Sequence, residues 1–310
     1  MLSSRAMSSH PLSSSERILA NAGMAASIIL WGSMFPALQV LLREWDPITL
    51  TATRISLGGL VMLAFLAWRE GWTAFRNLPW GTLWIVGGVC MTGYTSFMTI
   101  GISLSGAISG ALISALSPVL ASLVASLVYG ERLARTTRWA AGAATVGGVL
   151  VALGAPGGKL EFLGGEAMML VSITMWTFYQ FGCQKHLAQL TRTQTTTFTI
   201  VTASCVLWAA VPLSNLVLGH GLYANVEAES LALVFYAAMV SSGFTILFWN
   251  YAVTKLGVAV AAVCYSLIPI VSLALTAIVI GSLPTLLQLL GGAVIVASCI
   301  AAQIAQLRRR

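Results

Sequence analysis

The sequence predicts an all-α integral membrane protein of ten transmembrane helices, arranged as two inverted five-helix repeats with both termini on the cytoplasmic side. Composition, long apolar runs and an internal echo carry that reading. The chain has 310 residues, of which 58% are hydrophobic and 8% charged; soluble domains carry roughly a quarter charged residues. A helix needs about 20 apolar residues to cross a hydrocarbon core about 30 Å thick, at about 1.5 Å rise per residue. Membrane barrel strands would alternate, whereas these runs are continuously apolar.

The elements follow in order. Residues 1–19 form a polar, serine-rich tail carrying Arg5 and Arg17. The apolar run after it exceeds the about 7–15 residues of a signal-peptide core, and no small-residue cleavage site follows promptly. The tail is therefore expected to be retained in the cytoplasm. The first repeat, 20–154, holds helices at 20–42, 48–68, 80–104 and 107–129 and a short one at 139–153. A periplasmic linker, 155–165, leads to the second repeat, 166–305, with helices at 166–185, 195–218, 231–251, 258–280 and 283–304; a basic tail, 306–310, ends the chain.

The repeats are visible as echoes. Helix four contains "LSPVLASLVASLVYG" from Leu116 and helix nine "LIPIVSLALTAIVIG" from Leu267, so Pro118 and Pro269 each precede a glycine by twelve residues. Trp31 in "ILWGSMF" is matched by Trp176 in "TMWTFYQ", and "GYTSFM" from Gly93 by "GFTILF" from Gly243. The closing helices carry "AAGAATVGG" and "LGGAVIVAS". The order holds while the offset drifts between 145 and 151, as small insertions between two copies would produce. Five crossings are an odd number, so the second copy enters from the opposite face, which makes the repeats inverted.

Charge sets the orientation. Of 16 Lys and Arg, thirteen fall in the tails and even-numbered loops: Arg5, Arg17, Arg69, Arg76, Arg132, Arg135, Arg138, Lys185, Arg192, Lys255, Arg308, Arg309 and Arg310. The positive-inside rule places those segments in the cytoplasm. The net charge of +7 thus reports insertion, not a nucleic-acid partner. All five cysteines lie singly within predicted helices, which suggests neither a disulfide nor a metal framework.

Several motifs together resemble a known family: Trp31-Gly32-Ser33 in helix one, Asp46-Pro47 followed by Arg54, the helix-four proline ending in Gly130-Glu131, and "WNYAVTKLG" from Trp249. They resemble the drug/metabolite transporter superfamily, in its EamA-type branch, over nearly the whole chain. Within that branch the chain looks most like the bacterial inner-membrane aromatic amino acid exporters. The second half has Gly281-Ser282 where the first has Gly130-Glu131, which makes Glu131 loop architecture rather than chemistry. The resemblance implies a multi-pass secondary transporter of the inner membrane that exports amino acids and related metabolites by alternating access. A broad multidrug or metabolite exporter is the alternative, and an integral-membrane enzyme or scaffold a more distant one. The expected partners are a small-molecule solute and the lipid bilayer, with a single chain as the working unit.

Candidate solute contacts are aromatic and weakly polar. Trp176, Tyr179, Gln180 and Cys183 share one helical face, and Trp31, Met34, Phe35 and Leu38 repeat it in helix one. Tyr94 and Met98 in helix three, Phe244, Phe248, Asn250 and Tyr251 in helix eight, and Tyr265 one turn before Pro269 complete the set; Ser114 stands where Tyr265 does in the first half. Such a lining suits a neutral or zwitterionic amphiphile; the bland reading of each residue is packing or an interfacial belt. Pro118 and Pro269 are candidate gating points, since proline removes a backbone donor and weakens a helix. Arg54, about two turns into helix two, either counters a solute carboxylate or is structural, snorkelling to the headgroups or tying helix ends by bonding carbonyls. All nine acidic residues lie at or beyond helix ends, and His10, His186 and His220 lie in tails or loops, so a facilitator or uniporter is expected. No catalytic, nucleotide-binding or metal motif is present, and neither enzyme activity nor a cofactor is expected.

Overall fold

In the computed structural model the described residues are 13–129, 135–154, 164–218, 223–241, 244–256, 264 and 267–307. Within them the backbone is helical apart from short connections and one isolated bridge, Trp45 to Ala224. Helix α1 (Ser14–Leu41) opens with a capping box, Ser13 and Glu16 each accepting the other's backbone N–H. Helix α2 (Pro47–Glu70) starts where its sequence dictates: the Asp46 side chain accepts the N–H groups of Ile48 and Thr49, and Pro47 needs no partner at the first helical position.

Helix α3 (Trp80–Ser114) contains a π-helical stretch, Trp84–Met91, and one non-helical residue, Gly106, at φ 79°. Gly106 is the joint expected between the third and fourth transmembrane segments. The next amide, Ala107 N–H, is satisfied by Gln39 Oε1 at 2.7 Å. A turn at Ala115 and Leu116 then interrupts the expected fourth helix, and α4 (Ser117–Tyr129) begins beyond it. After α5 (Arg135–Leu153) come α6 (Gly165–His186), α7 (Arg192–Leu218), α8 (Ala228–Ser241), α9 (Phe244–Leu256), α10 (Ile268–Ile280) and α11 (Leu286–Leu307).

The expected fourth helix is therefore divided near its start. The eighth is described as α8 and α9, and most of the ninth before Ile268 lies outside the described residues. Both prolines sit in the first turn of a new helix, Pro118 in α4 and Pro269 in α10, where the missing N–H forfeits no intrahelical bond. They start helices rather than kink them. Among the described residues four helices, α1, α2, α3 and α7, are long and apolar enough to cross a membrane. Their outer faces are apolar too, with Ile18 and Ile29 of α1, Leu60 and Trp68 of α2, Ile85 and Val89 of α3 and Leu213 of α7 exposed.

The packing has a regularity of its own. Helix α3 lies on α6 and α9 on α1; α4 lies on α6 and α10 on α1; the π-helical stretch of α3 lies on α7 and α8 on α2. Exchanging first-half for second-half helices carries each pairing onto its neighbour. It carries α2 on α7, and α5 on α11, onto themselves. Two hydrogen bonds repeat the pattern: Ser27 Oγ of α1 reaches the Thr245 carbonyl of α9 at 3.2 Å, and Ser172 Oγ of α6 the Tyr94 carbonyl of α3 at 2.8 Å. Helices α5 and α11 cross at glycine, since a Cβ on Gly147 would lie 2.7 Å from the Gly291 carbonyl oxygen, and one on Gly291 2.5 Å from that of Gly147.

The connections are clasped in pairs. Asp46 N–H donates to the Tyr223 carbonyl at 2.9 Å and Asn225 N–H to the Glu44 carbonyl at 3.1 Å. Thr191 Oγ1 donates to the Glu70 carboxylate at 3.0 Å. Thr285 Oγ1 reaches the Gly154 carbonyl at 2.8 Å. Lys255 Nζ lies 2.7 Å from Glu16 Oε1; this hydrogen bond holds the Glu16 carboxyl below its usual range and raises Lys255 above its own.

Candidate functional site

A cavity of about 110 Å³ lies among α1, α2, α3, α4, α6, α7, α8 and α10. One ordered water needs only about 10–15 Å³ by the same measure, so a larger guest fits. Among the described residues the glycine crossing of α5 and α11 contributes none to the lining. Where α3 ends and α4 begins, Ser114, Ala115 and Ser117 face the cavity, and at the start of α10 so do Ile268 and Pro269. The two helix interruptions thus open onto one space.

One wall is aromatic. The Trp176 ring stacks on Tyr179 with centroids 5.1 Å apart at 21°, and leans on Tyr94 at 4.7 Å and 37°. Both contacts fall in the range where aromatic pairs attract. The spacing of Trp176 and Tyr179 on α6 puts both rings on one side, and the Ser172 bond fixes α6 against α3 at Tyr94. Tyr179 Oη meets Thr199 Oγ1 of α7 at 3.2 Å. Trp31 lines the cavity from α1, its ring 5.2 Å from that of Trp249. Met34, Met91 and Met98 add thioether surface, and Thr95 and Thr196 add hydroxyls.

Arg54 also lines the space. It is 1% exposed, which excludes the snorkelling reading, because a snorkelled head would lie in water or among headgroups. Its Nη2 is 3.4 Å from Thr99 Oγ1, and its Nε has no partner among the described residues.

Of the residues singled out from sequence, Trp31, Met34, Tyr94, Met98, Trp176, Tyr179 and Pro269 line the cavity. Gln180, Phe248 and Tyr251 do not: Gln180 and Phe248 are exposed and Tyr251 half-buried outside the lining. Gln180 lies about 6 Å further along the axis of α6 than Trp176, at four residues of about 1.5 Å rise. The side chains of Pro118, Phe244 and Asn250, and Tyr265 entirely, lie outside the described residues. Sequence reasoning did not single out Met91, Thr95, Ile173 or the pair Thr196 and Ile200. The threonine run of α7, Thr195 to Thr197, was the available signal, being unusually polar for a membrane helix.

The model of the EamA-like transporter family matches residues 18–153 and, a second time, 163–302. A protein of Streptantibioticus cattleyicolor named a probable terminal-alkyne amino-acid exporter is 25% identical over 270 residues, 87% of this chain and 88% of that one. A crystal structure of a protein 21% identical in sequence superimposes with a TM-score of 0.64, covering 96% of this chain and 100% of the other. At that identity the likeness speaks for the fold.

Proposed function

Since this chain belongs to the EamA-like transporter family, and is a multi-pass membrane transporter rather than an enzyme, we propose that it exports amino acids, aromatic ones included, across the bacterial inner membrane. One observation carries this reading: a single cavity is lined from both halves of the chain by stacked aromatic rings, thioethers and hydroxyls. Such a surface accommodates an aromatic or aliphatic side chain and places a few hydrogen bonds at its rim. The exporter name of the Streptantibioticus relative supports the same solute class.

The architecture behind the proposal is a pair of inverted five-helix units, 20–154 and 166–305, within ten crossings. Its supports are the twofold match of the family model and the exchange symmetry of the helix pairings. The clasps agree with it. Every connection paired by hydrogen bonds joins loops that the ten-crossing topology assigns to one face: first with seventh and fifth with ninth outside, second with sixth and tail with eighth inside. Sites between such units serve alternating access, one unit rocking against the other. Pro118 and Pro269 mark the breaks at which the gating helices bend. Among the described residues no acidic side chain lines the cavity, and Glu166, though buried, stands apart from it, which favours a facilitator over a proton-coupled carrier.

The test is counterflow in liposomes holding the purified full chain. Labelled L-phenylalanine is expected to accumulate transiently against an unlabelled internal pool, with cationic dyes exchanging far more slowly. Equal exchange of dyes selects the multidrug alternative, and an imposed pH gradient that drives net accumulation removes the facilitator reading.

A further inference from the structure

We propose that Arg54 is the carboxylate-binding residue of the cavity, so that a transported amino acid is held by its acid group on α2 while its side chain lies against Trp176 and Tyr94; this rests on the exporter reading. A guanidinium offers five N–H donors and stays charged at any pH a cell meets. Arg54 lies in the second turn of α2 and is 1% exposed, yet among the described residues it makes a single long hydrogen bond, 3.4 Å to Thr99 Oγ1. Even that acceptor is shared. Thr99 Oγ1 lies 2.9 Å from Thr51 Oγ1 and 2.9 Å from the Thr95 carbonyl to which it donates.

A buried cation without a counter-ion is strongly unfavourable. Structural arginines answer the cost with carbonyls or a carboxylate, and Arg54 has neither among the described residues, while its Nε is bare. The group that complements such a guanidinium is a planar anion with two acceptors. A carboxylate supplies that in bidentate form. One guanidinium matches one negative charge, which favours a monocarboxylate over a phosphate ester carrying two. The Tyr94 and Trp176 rings then offer the face on which the solute's side chain lies.

The experiment compares three probes of one shape on the reconstituted full chain: L-phenylalanine, its amide, and phenethylamine, which lacks the carboxyl group. Each is used as an unlabelled competitor of labelled L-phenylalanine counterflow. In the unsubstituted protein the amide and the amine are expected to compete at least about tenfold more weakly than the acid, the worth of a charge-assisted hydrogen bond. Arg54→Gln should bring the three together, and Arg54→Lys should restore part of the preference. Equal competition by all three in the unsubstituted protein overturns the proposal while leaving the exporter reading intact, and needs no variant to fold. A preference that survives Arg54→Gln overturns it equally. If no labelled amino acid moves, the exporter reading itself fails. Quenching of tryptophan fluorescence by phenylacetate, lost in Arg54→Gln and kept in Arg54→Lys, then decides whether Arg54 still holds a carboxylate; no difference among the three proteins rejects it.

Discussion

Trp176 is the side chain on which the aromatic wall depends, because it touches Tyr179 at 5.1 Å and Tyr94 at 4.7 Å and so joins α6 to α3 along that wall. Aromatic contacts of this kind contribute about 0.5–1.5 kcal/mol beyond burial. Trp176→Ala is therefore expected to raise the half-saturating concentration of L-phenylalanine in counterflow by about 2- to 10-fold. Gln180→Ala, four residues along the same helix, is expected to leave it unchanged, since Gln180 is exposed and off the lining. Equal effects at the two positions would mean that the solute contacts α6 somewhere other than the stacked rings. The contrast also marks what sequence could tell. Helical spacing gives the direction of a side chain around the axis, which sets Trp176 and Tyr179 on the cavity side; it does not say where along the axis a cavity stops, and Gln180 lies beyond that point.

At the scale of elements the glycine crossing of α5 and α11 makes the sharpest claim. A methyl group on Gly147 would meet the Gly291 carbonyl oxygen at 2.7 Å, and backbone cannot step aside as a side chain can. Gly147→Ala is expected to destabilise the protein by about 1–3 kcal/mol, the usual range for overpacking. Gly142→Ala on the same helix meets nothing within 4 Å and is expected to be neutral, or stabilising by up to about 1 kcal/mol through helix propensity. Thermal unfolding of the detergent-solubilised chain separates the two. Apolar runs made most helix positions legible in the sequence, and the joint at Gly106 fell between the third and fourth runs. The role of the prolines was only half legible: Pro118 and Pro269 announced a break, but not that each would open a fresh helix after it. The π-helical stretch Trp84–Met91 had no local signal beyond Gly87 and Gly88. Its register is set from outside, where Gly87 lets the Thr199 backbone approach within 2.6 Å of a would-be Cβ.

For the whole molecule, the exchange symmetry of the packing turns into a statement about motion. The clasp joining Glu44 and Asp46 to residues 223–225 and the clasp of Glu70 with Thr191 lie at opposite ends of the helices and are counterparts under exchange of the halves. If the halves rock against each other, both clasps cannot stay closed throughout a cycle, because opening one face separates the loops that close it. With the five native cysteines replaced by serine, the pairs Glu44→Cys with Asn225→Cys, and Glu70→Cys with Thr191→Cys, put one thiol on each of the two loops that the clasp holds in hydrogen-bonding contact. Oxidation of either pair is expected to arrest L-phenylalanine counterflow, and reduction to restore it. The two arrests should differ in kind: a chain locked at one clasp still binds solute from the opposite face only. Sidedness of binding in oriented vesicles reads that difference. Undiminished counterflow with either cross-link formed would show that the loops at that face do not part, and rocking of the two halves would have to be abandoned for a motion confined to the helix breaks at Ala115 and Ile268.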